Sequence, residues 1–251
     1  MARGVTVITG ASAGLGVEFA RQCRARGDEL VLVARRRDRL ESLAAELGSS
    51  HVVAADLARP GAPAQLVDQV KGLGLEIDIL INNAGFGVAG RFDRAPADRL
   101  LEMIDLNVRA LTETCRLVLP AMIERGRGAI LNVASTAAFQ AGPNMAVYYA
   151  SKAYVLSFTE ALHQENKDKG VKVSALCPGP TATEFFDVAE SSGSTLAKMA
   201  TDPVAVVTAG LKGLERNRAI TIPGLGNKVG AQSNRIVPRA LMRRIIARIK
   251  T

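Results

Sequence analysis

Tyr148 and Lys152 stand four residues apart at the end of the run NVASTAAFQAGPNMAVYYASK, Asn132 to Lys152. On a helix that spacing puts both side chains on one face, with about 5 to 6 Å between β-carbons. A phenol, whose pKa is about 10, is a sluggish proton donor or base at neutral pH. An ammonium beside it stabilises the phenolate and draws the pKa toward the range where general acid-base catalysis is most efficient. Tyr149, three residues before Lys152, can share the same face, so the residues alone leave two tyrosines in contention. Ordinary surface packing is the commonest use of such a pair, which by itself assigns no reaction.

A second constellation lies at the start of the chain. The apolar run Val5 to Ile8 empties into TGASAGLG, Thr9 to Gly16, and then into a helical pattern from Val17. A buried strand, a glycine turn and a helix let a phosphate sit on helix N-terminal amides. The glycines fall at 10, 14 and 16 rather than in the usual G-x-G-x-x-G order, and a turn without any ligand is the bland alternative. The next strand ends in Arg35-Arg36-Arg37, where a site preferring NAD carries an acid for the ribose 2′-hydroxyl. Guanidinium groups instead bind a 2′-phosphate through paired hydrogen bonds. Three cations at a helix start also oppose its dipole, which argues against a merely solvated helix opening. NADP(H) is therefore expected over NAD(H).

The elements that must hold these groups are legible as short Val/Ile/Leu runs separated by helical segments. They cover Val5–Thr9, Leu30–Ala34, His51–Ala55, Ile77–Asn82, Ala129–Ala134, Val171–Cys177 and Ala219–Ile222. Continuous apolar strands are buried on both faces, and amphipathic segments such as Arg36–Leu47 supply the cover. The pattern predicts an α/β fold, a Rossmann-type doubly wound parallel sheet of about seven strands in three layers. The 251 residues, 48% apolar, suit a single domain spanning 1–251, with 224–251 as a basic amphipathic extension. Met1-Ala2-Arg3-Gly4 leaves no room for a signal peptide, and no apolar run approaches the roughly 20 residues of a membrane span. A cytoplasmic protein is expected, with a peripheral membrane position as a variant of that reading. Cys23, Cys115 and Cys177 suit reduced thiols, and two histidines without clustered cysteines make a metal site improbable.

The net charge of +8 is unevenly placed. Arg216, Arg218, Lys228, Arg235, Arg239, Arg243, Arg244, Arg248 and Lys250 follow Glu215 with no acid among them, leaving 23 of the 32 Lys and Arg against all 24 acids in residues 1–215. A near-neutral body speaks against a nucleic-acid groove, so the tail needs its own explanation. Within it Leu241, Met242, Ile245, Ile246 and Ile249 fall within about 140° of a helical wheel. Such a helix can lie on an anionic membrane, or pack on its own domain or a second subunit.

With these motifs in order, the chain resembles the compact short-chain dehydrogenase/reductases of roughly 250 residues, over about residues 4 to 223. TGASAGLG resembles the family's T-G-x-x-x-G-x-G loop, which implies cofactor contacts from Gly10, Ser12, Ala13, Gly14, Leu15 and Gly16, joined by Arg35 and Arg36. Asp56-Leu57 matches the adenine-contacting pair, and NNAG, ending in Asn83, Ala84 and Gly85, matches the motif closing the fourth strand. PGPTAT matches the segment beside the nicotinamide, implicating Pro178, Gly179, Thr181 and Thr183. The resemblance names Asn107 of LNV, Ser135 of VAS, Tyr148 and Lys152 as catalytic, and it separates Tyr148 from Tyr149.

The resemblance further implies hydride transfer between a carbonyl and an alcohol. Tyr148 gives its proton to the oxygen and Ser135 orients that oxygen. Lys152 lowers the Tyr148 pKa and holds the nicotinamide ribose, and Asn107, at a helix break, seats a water reaching Lys152. It also implies a homo-dimer or homo-tetramer built through the helices around Asn107 and Tyr148. The expected pocket walls, Phe139–Val147 and Thr183–Met199, carry Phe139, Met145, Phe185, Phe186, Leu196 and Met199 and suggest a lipophilic carbonyl or alcohol substrate. Ser191-Ser192-Gly193-Ser194 suits a lid. A non-catalytic NADP(H)-binding regulatory or membrane-surface adaptor is the alternative. A nucleotide-sugar epimerase or dehydratase is weaker, because about 30 residues after the last strand are too few for an added substrate domain.

Overall fold

The central strands of the sheet alternate their side chains between two buried faces, which makes the sheet the middle of three layers. In β2 (Leu30–Ala34), Leu30 and Leu32 join one core cluster while Val31 and Val33 join the other. The computed structural model describes residues 3–181, 201–234 and 236–249. Its strands are β1 (Arg3–Thr9), β2, β3 (Ser50–Ala54), β4 (Leu75–Asn82), β5 (Gly128–Val133), β6 (Val171–Leu176) and β7 (Ile220–Thr221), all parallel in the order β3-β2-β1-β4-β5-β6-β7. This is the Rossmann-type sheet expected from the apolar runs, with strand ends shifted by one or two residues.

One face is covered by α1 (Leu15–Ala25), α2 (Arg37–Leu47) and α7 (Pro203–Glu215), through side chains such as Phe19, Leu40 and Leu211. The other is covered by α3 (Ala62–Gly72), α5 (Leu111–Glu124) and α6 (Ala146–Asn166), through Leu66, Val118 and Val155. The strand order reverses between β1 and β4, and ligands of open parallel sheets bind beyond the carboxyl ends of strands at such a point. Thr9 and Asn82 stand at those two ends.

Between α4 (Ala97–Ile104) and α5 the chain makes a wider π turn over Asp105–Ala110. A short 3₁₀ turn, Thr136–Phe139, follows β5. After β7 come two helices, α8 (Leu225–Ser233) and α9 (Arg239–Ile249). Only the second was foreseen as a helix. Cys23, Cys115 and Cys177 are buried and unbridged. Among the described residues no helix is long and apolar enough to cross a membrane, and no group of three or more metal-ligating side chains gathers.

Candidate active site

The glycine loop needs its glycines because backbone approaches backbone. A β-carbon on Gly16 would lie 2.1 Å from the Gly10 carbonyl oxygen, and Gly10 itself has φ +68°. The helix that follows starts after Gly14 without a side-chain cap, and the Gly16 amide donates to the Ala13 carbonyl oxygen at 3.1 Å within the turn. Thr9 ties this loop to the end of β4. Its Oγ1 accepts hydrogen bonds from the amides of Asn83 and Ala84, both at 3.0 Å, while Asn83 Nδ2 donates to the carbonyl oxygens of Thr9 at 3.0 Å and Gly10 at 3.3 Å. Sequence reasoning singled out Asn83 and Ala84 but passed over Thr9. A hydroxyl residue ending an otherwise apolar buried strand was the available signal.

The three arginines after β2 have separate fates. Arg36 folds over the loop, its Nη2 donating to Ser12 Oγ at 3.2 Å and its Nε to the same oxygen at 3.3 Å. Arg35 pairs with Glu102 of α4 at 3.0 Å, and Arg37 pairs with Glu41 within its own helix at 3.4 Å. Asp56 turns the chain after β3 by accepting from the Ala58 amide at 3.2 Å, and Leu57 is buried beneath.

Asn107 sits in the π turn, fully buried, at the helix break anticipated for it. Its carboxamide reads both backbone groups of Phe86: Oδ1 accepts from the amide at 3.1 Å and Nδ2 donates to the carbonyl at 3.0 Å. Nδ2 also donates to Ser151 Oγ at 3.1 Å, and that hydroxyl donates to the Tyr148 carbonyl at 2.7 Å. Gly85 marks where Asn107 and Lys152 converge. A β-carbon there would be 2.9 Å from Asn107 Oδ1 and 3.4 Å from Lys152 Nζ.

Ser135 caps the 3₁₀ turn by accepting from the Ala137 amide at 3.1 Å, and its side chain hydrogen-bonds the Tyr148 hydroxyl. Lys152 Nζ lies 5.9 Å from the centre of the Tyr148 ring and donates to the Val133 carbonyl at 2.8 Å. Tyr149 packs elsewhere: its ring fills the space where a Gly142 β-carbon would stand. The two tyrosines left open by helical spacing are thus separated by tertiary contacts.

The protonation expectation needs correction. Burial pushes the Tyr148 phenol up to about 12, with the Ser135 hydrogen bond opposing it, and burial pushes the Lys152 ammonium down to about 8. Neither group draws the other's pKa in the direction expected from their proximity. Desolvation penalises the charged form of each group, and the Lys152 ammonium is directed at the Val133 carbonyl. Cys177 lies near enough to Lys152 for each to favour the other's charged form.

Pro178 joins the site through its carbonyl, which accepts from the Thr136 amide at 2.8 Å. Thr181 Oγ1 donates to the Gly179 carbonyl at 3.0 Å, and Thr181 bridges Thr201, whose amide donates to Pro180 at 2.9 Å. Thr183, Phe185, Phe186, Leu196, Met199 and the Ser191–Ser194 run lie outside the described residues. One feature had no forewarning in the residue pattern: the extension reaches the site. A β-carbon on Gly179 would be 2.4 Å from Asn227 Oδ1 of α8, and Asn234 Nδ2 donates to Gln140 Oε1 at 2.9 Å.

Comparison with known proteins gives a consistent picture. The chain is 34% identical over 197 residues to a very-long-chain 3-oxoacyl-CoA reductase of Anas platyrhynchos, covering 74% of this chain and 62% of that protein. It thus spans about three fifths of the length of those curated reductases. It is 37% identical over 183 residues to 2-dehydro-3-deoxy-L-rhamnonate dehydrogenase (NAD(+)) of Sphingomonas sp. strain SKA58, covering 72% of this chain and 73% of the relative. Among solved structures, the short-chain dehydrogenase from Sphingobium yanoikuyae in complex with NADPH superposes with a TM-score of 0.82 at 34% identity, over 96% of this chain and 94% of the other. The bulky-bulky ketone specific alcohol dehydrogenase from Comamonas testosteroni gives 0.77 at 30% identity, over 95% and 93%. Residues 4–192 match the family model for short chain dehydrogenases, and with the glycine loop, the β4 end and the Ser135–Tyr148–Lys152 cluster assembled on one crevice, this chain belongs to that family.

Proposed function

We propose that the chain is an NADP(H)-dependent oxidoreductase that interconverts a carbonyl and an alcohol on a lipophilic substrate. The observation that carries this reading is the convergence of buried Tyr148, Lys152 and Asn107 with half-buried Ser135 in one cluster. The loop fits a dinucleotide, because Gly10, Gly16 and Gly85 leave bare backbone where any side chain would collide. A nicotinamide bound there would supply or accept the hydride. Gly10, Ser12, Ala13, Gly14, Leu15 and Gly16 would hold the phosphates, Asp56 and Leu57 the adenine, and Asn83, Ala84, Gly85, Pro178, Gly179, Thr181 and Thr183 the remainder.

Tyr148 donates the proton to the oxygen of a carbonyl as negative charge develops on it, and it arrives protonated because burial keeps its phenol neutral. Ser135, already hydrogen-bonded to that hydroxyl, orients the same oxygen. Lys152 would hold the ribose hydroxyls of a bound nicotinamide nucleotide. Asn107 is a positioning residue: its carboxamide is committed to Phe86 and Ser151.

Arg36, folded over Ser12, supports NADP(H) over NAD(H), since a guanidinium at that place meets a 2′-phosphate. Arg35 contributes less because Glu102 already pairs with it. The names of relatives acting on 3-oxoacyl-CoA and bulky ketones support the lipophilic substrate. Exposed Leu101, Ile104, Leu117 and Tyr154 on α4 to α6, together with the groove lined by Ile104, Val108, Ala146 and Val147, support a homo-oligomer through these helices. Residues 1–251 form one domain with 224–251 as its extension. The unbridged thiols support a reducing, cytoplasmic compartment.

The test is loss of reduced-nicotinamide absorbance with NADPH or NADH over aliphatic, aromatic and steroid-like ketones. Turnover that Tyr148→Phe abolishes while NADPH binding persists supports the reading. Binding of NADPH without turnover in either direction, across the panel and the matching alcohols, overturns it in favour of an adaptor.

A further inference from the structure

The C-terminal extension combines two properties. It carries no acid from residue 216 onward, and five of its aliphatic side chains face water: Leu225 at 79% exposure, Val229 at 63%, Ile236 at 86%, Leu241 at 50% and Ile245 at 39%. The fold splits the apolar stripe of α9. Met242 and Ile246 are buried, whereas Leu241 and Ile245, one turn apart, remain outside. The same division occurs in α8, where Ala231 is buried while Leu225 and Val229 are exposed. Packing on the protein's own domain therefore accounts for part of the apolar surface and leaves a second part without a partner. Among the described residues, exposed Lys228, Arg239, Arg243 and Arg244 enter no ion pair.

We propose that α8 and α9 dock the protein on an anionic bilayer, and that docking brings the mouth of the candidate active site to the membrane so that lipid-borne substrate enters there. An anionic bilayer engages both properties at once: aliphatic side chains enter the headgroup boundary while cations meet lipid phosphates. A second copy fits worse, because an isologous contact sets one basic face without an acid against another of the same charge. Nucleic acid fits worse again, since phosphates offer nothing to five exposed aliphatic groups. The link to the site is structural. Asn227 of α8 abuts Gly179, and Asn234 just beyond α8 hydrogen-bonds Gln140, next to the 3₁₀ turn that begins at Ser135. A surface that seats α8 on lipid thus lies beside the substrate side of the crevice.

Docking stands on the surface alone; substrate entry from the membrane also rests on the oxidoreductase reading. The experiment is co-sedimentation of the full chain with vesicles of phosphatidylglycerol and phosphatidylcholine, against phosphatidylcholine alone. Binding is expected only with the anionic lipid and should fall as salt rises. Arg243→Glu with Arg244→Glu should weaken it about tenfold or more, and Leu241→Ser with Ile245→Ser should weaken it without moving the unfolding midpoint. No vesicle binding at low salt overturns docking. So does Leu241→Ser with Ile245→Ser dissolving an oligomer while vesicle binding is unchanged, which would assign the face to a second copy.

The second arm compares turnover of a short water-soluble ketone with that of a long-chain ketone dissolved in the vesicles. A charge-reversed variant slowed only on the vesicle-borne ketone supports entry from the membrane, and equal slowing or none overturns it. Docking with turnover of neither ketone overturns the oxidoreductase reading and leaves docking in place.

Discussion

The Lys152 ammonium donates to the Val133 carbonyl oxygen at 2.8 Å, inside a site where burial lowers its pKa to about 8. The unfolded chain holds that proton up to about pH 10.4. Between those values the unfolded state binds more protons, so the Lys152 contribution to stability rises with pH. Buried thiols act oppositely. Cys23, Cys115 and Cys177 are each pushed to about 12, as is Tyr148, so their ionisation in the unfolded state erodes stability above about pH 8.5 for the thiols and about pH 10 for the phenol. The native protein should therefore lose stability overall in alkali. Its stability relative to Lys152→Met should nonetheless rise between about pH 8 and 10, measured by urea unfolding at each pH. A flat difference would mean that Lys152 is not desolvated as described.

Gly16→Ala places a β-carbon 2.1 Å from the Gly10 carbonyl oxygen, and both partners are backbone. The loop must open to admit the methyl group, at a cost of about 1 to 3 kcal/mol. NADPH binding, followed by nicotinamide fluorescence, should weaken by about tenfold or more, while Gly226→Ala, where a β-carbon meets open space, should bind as before.

Arg36→Ala removes the guanidinium lying over Ser12. A charged hydrogen bond is worth about 1.5 to 3 kcal/mol, so NADPH affinity should fall by about ten to a hundredfold and NADH affinity much less. Glu102→Gln should act the other way. It releases Arg35 from its 3.0 Å ion pair and raises NADPH affinity by a few-fold. Equal changes for the two cofactors would remove the arginines from any role at the 2′-phosphate.

Asn132→Ala breaks a buried polar chain in which Asn82 Nδ2 donates to Asn132 Oδ1 at 2.9 Å and Asn132 Nδ2 donates to Thr159 Oγ1 at 3.0 Å. The chain ties β4, β5 and α6, and so the end of the glycine crevice to the helix carrying Tyr148. Its loss strands the Asn82 amide donor without its main acceptor and should cost about 1 to 3 kcal/mol in the denaturation midpoint. The carbonyl-reduction rate should fall as well, because the helix loses one of its anchors to the sheet.

Much of this molecule was already written along its chain. Strands buried on both faces leave continuous Val and Ile runs, so the sheet could be read from Val5–Thr9 or Leu30–Ala34 alone. The glycine positions were legible too, because a backbone that touches backbone admits no other residue. Helical spacing brought both Tyr148 and Tyr149 near Lys152; the family's motif chose Tyr148, and the packing of Tyr149 against Gly142 and of Tyr148 toward Ser135 gives the physical difference. Local periodicity fixes which face of a helix a residue occupies, whereas the neighbour on that face comes from a distant segment.

The same reason explains the other differences. Spacing predicted that the ammonium would acidify the phenol, but burial, a property of the assembled fold, governs both groups. The division of α9 into a buried Met242–Ile246 edge and an exposed Leu241–Ile245 edge was likewise invisible on a helical wheel, where all four belong to one stripe. What the amino-acid order determined by itself was the sheet, the bare loop and the candidate residues. Which tyrosine meets the serine, which arginine reaches the loop and which apolar edge stays in water were decided by contacts between segments far apart in the chain.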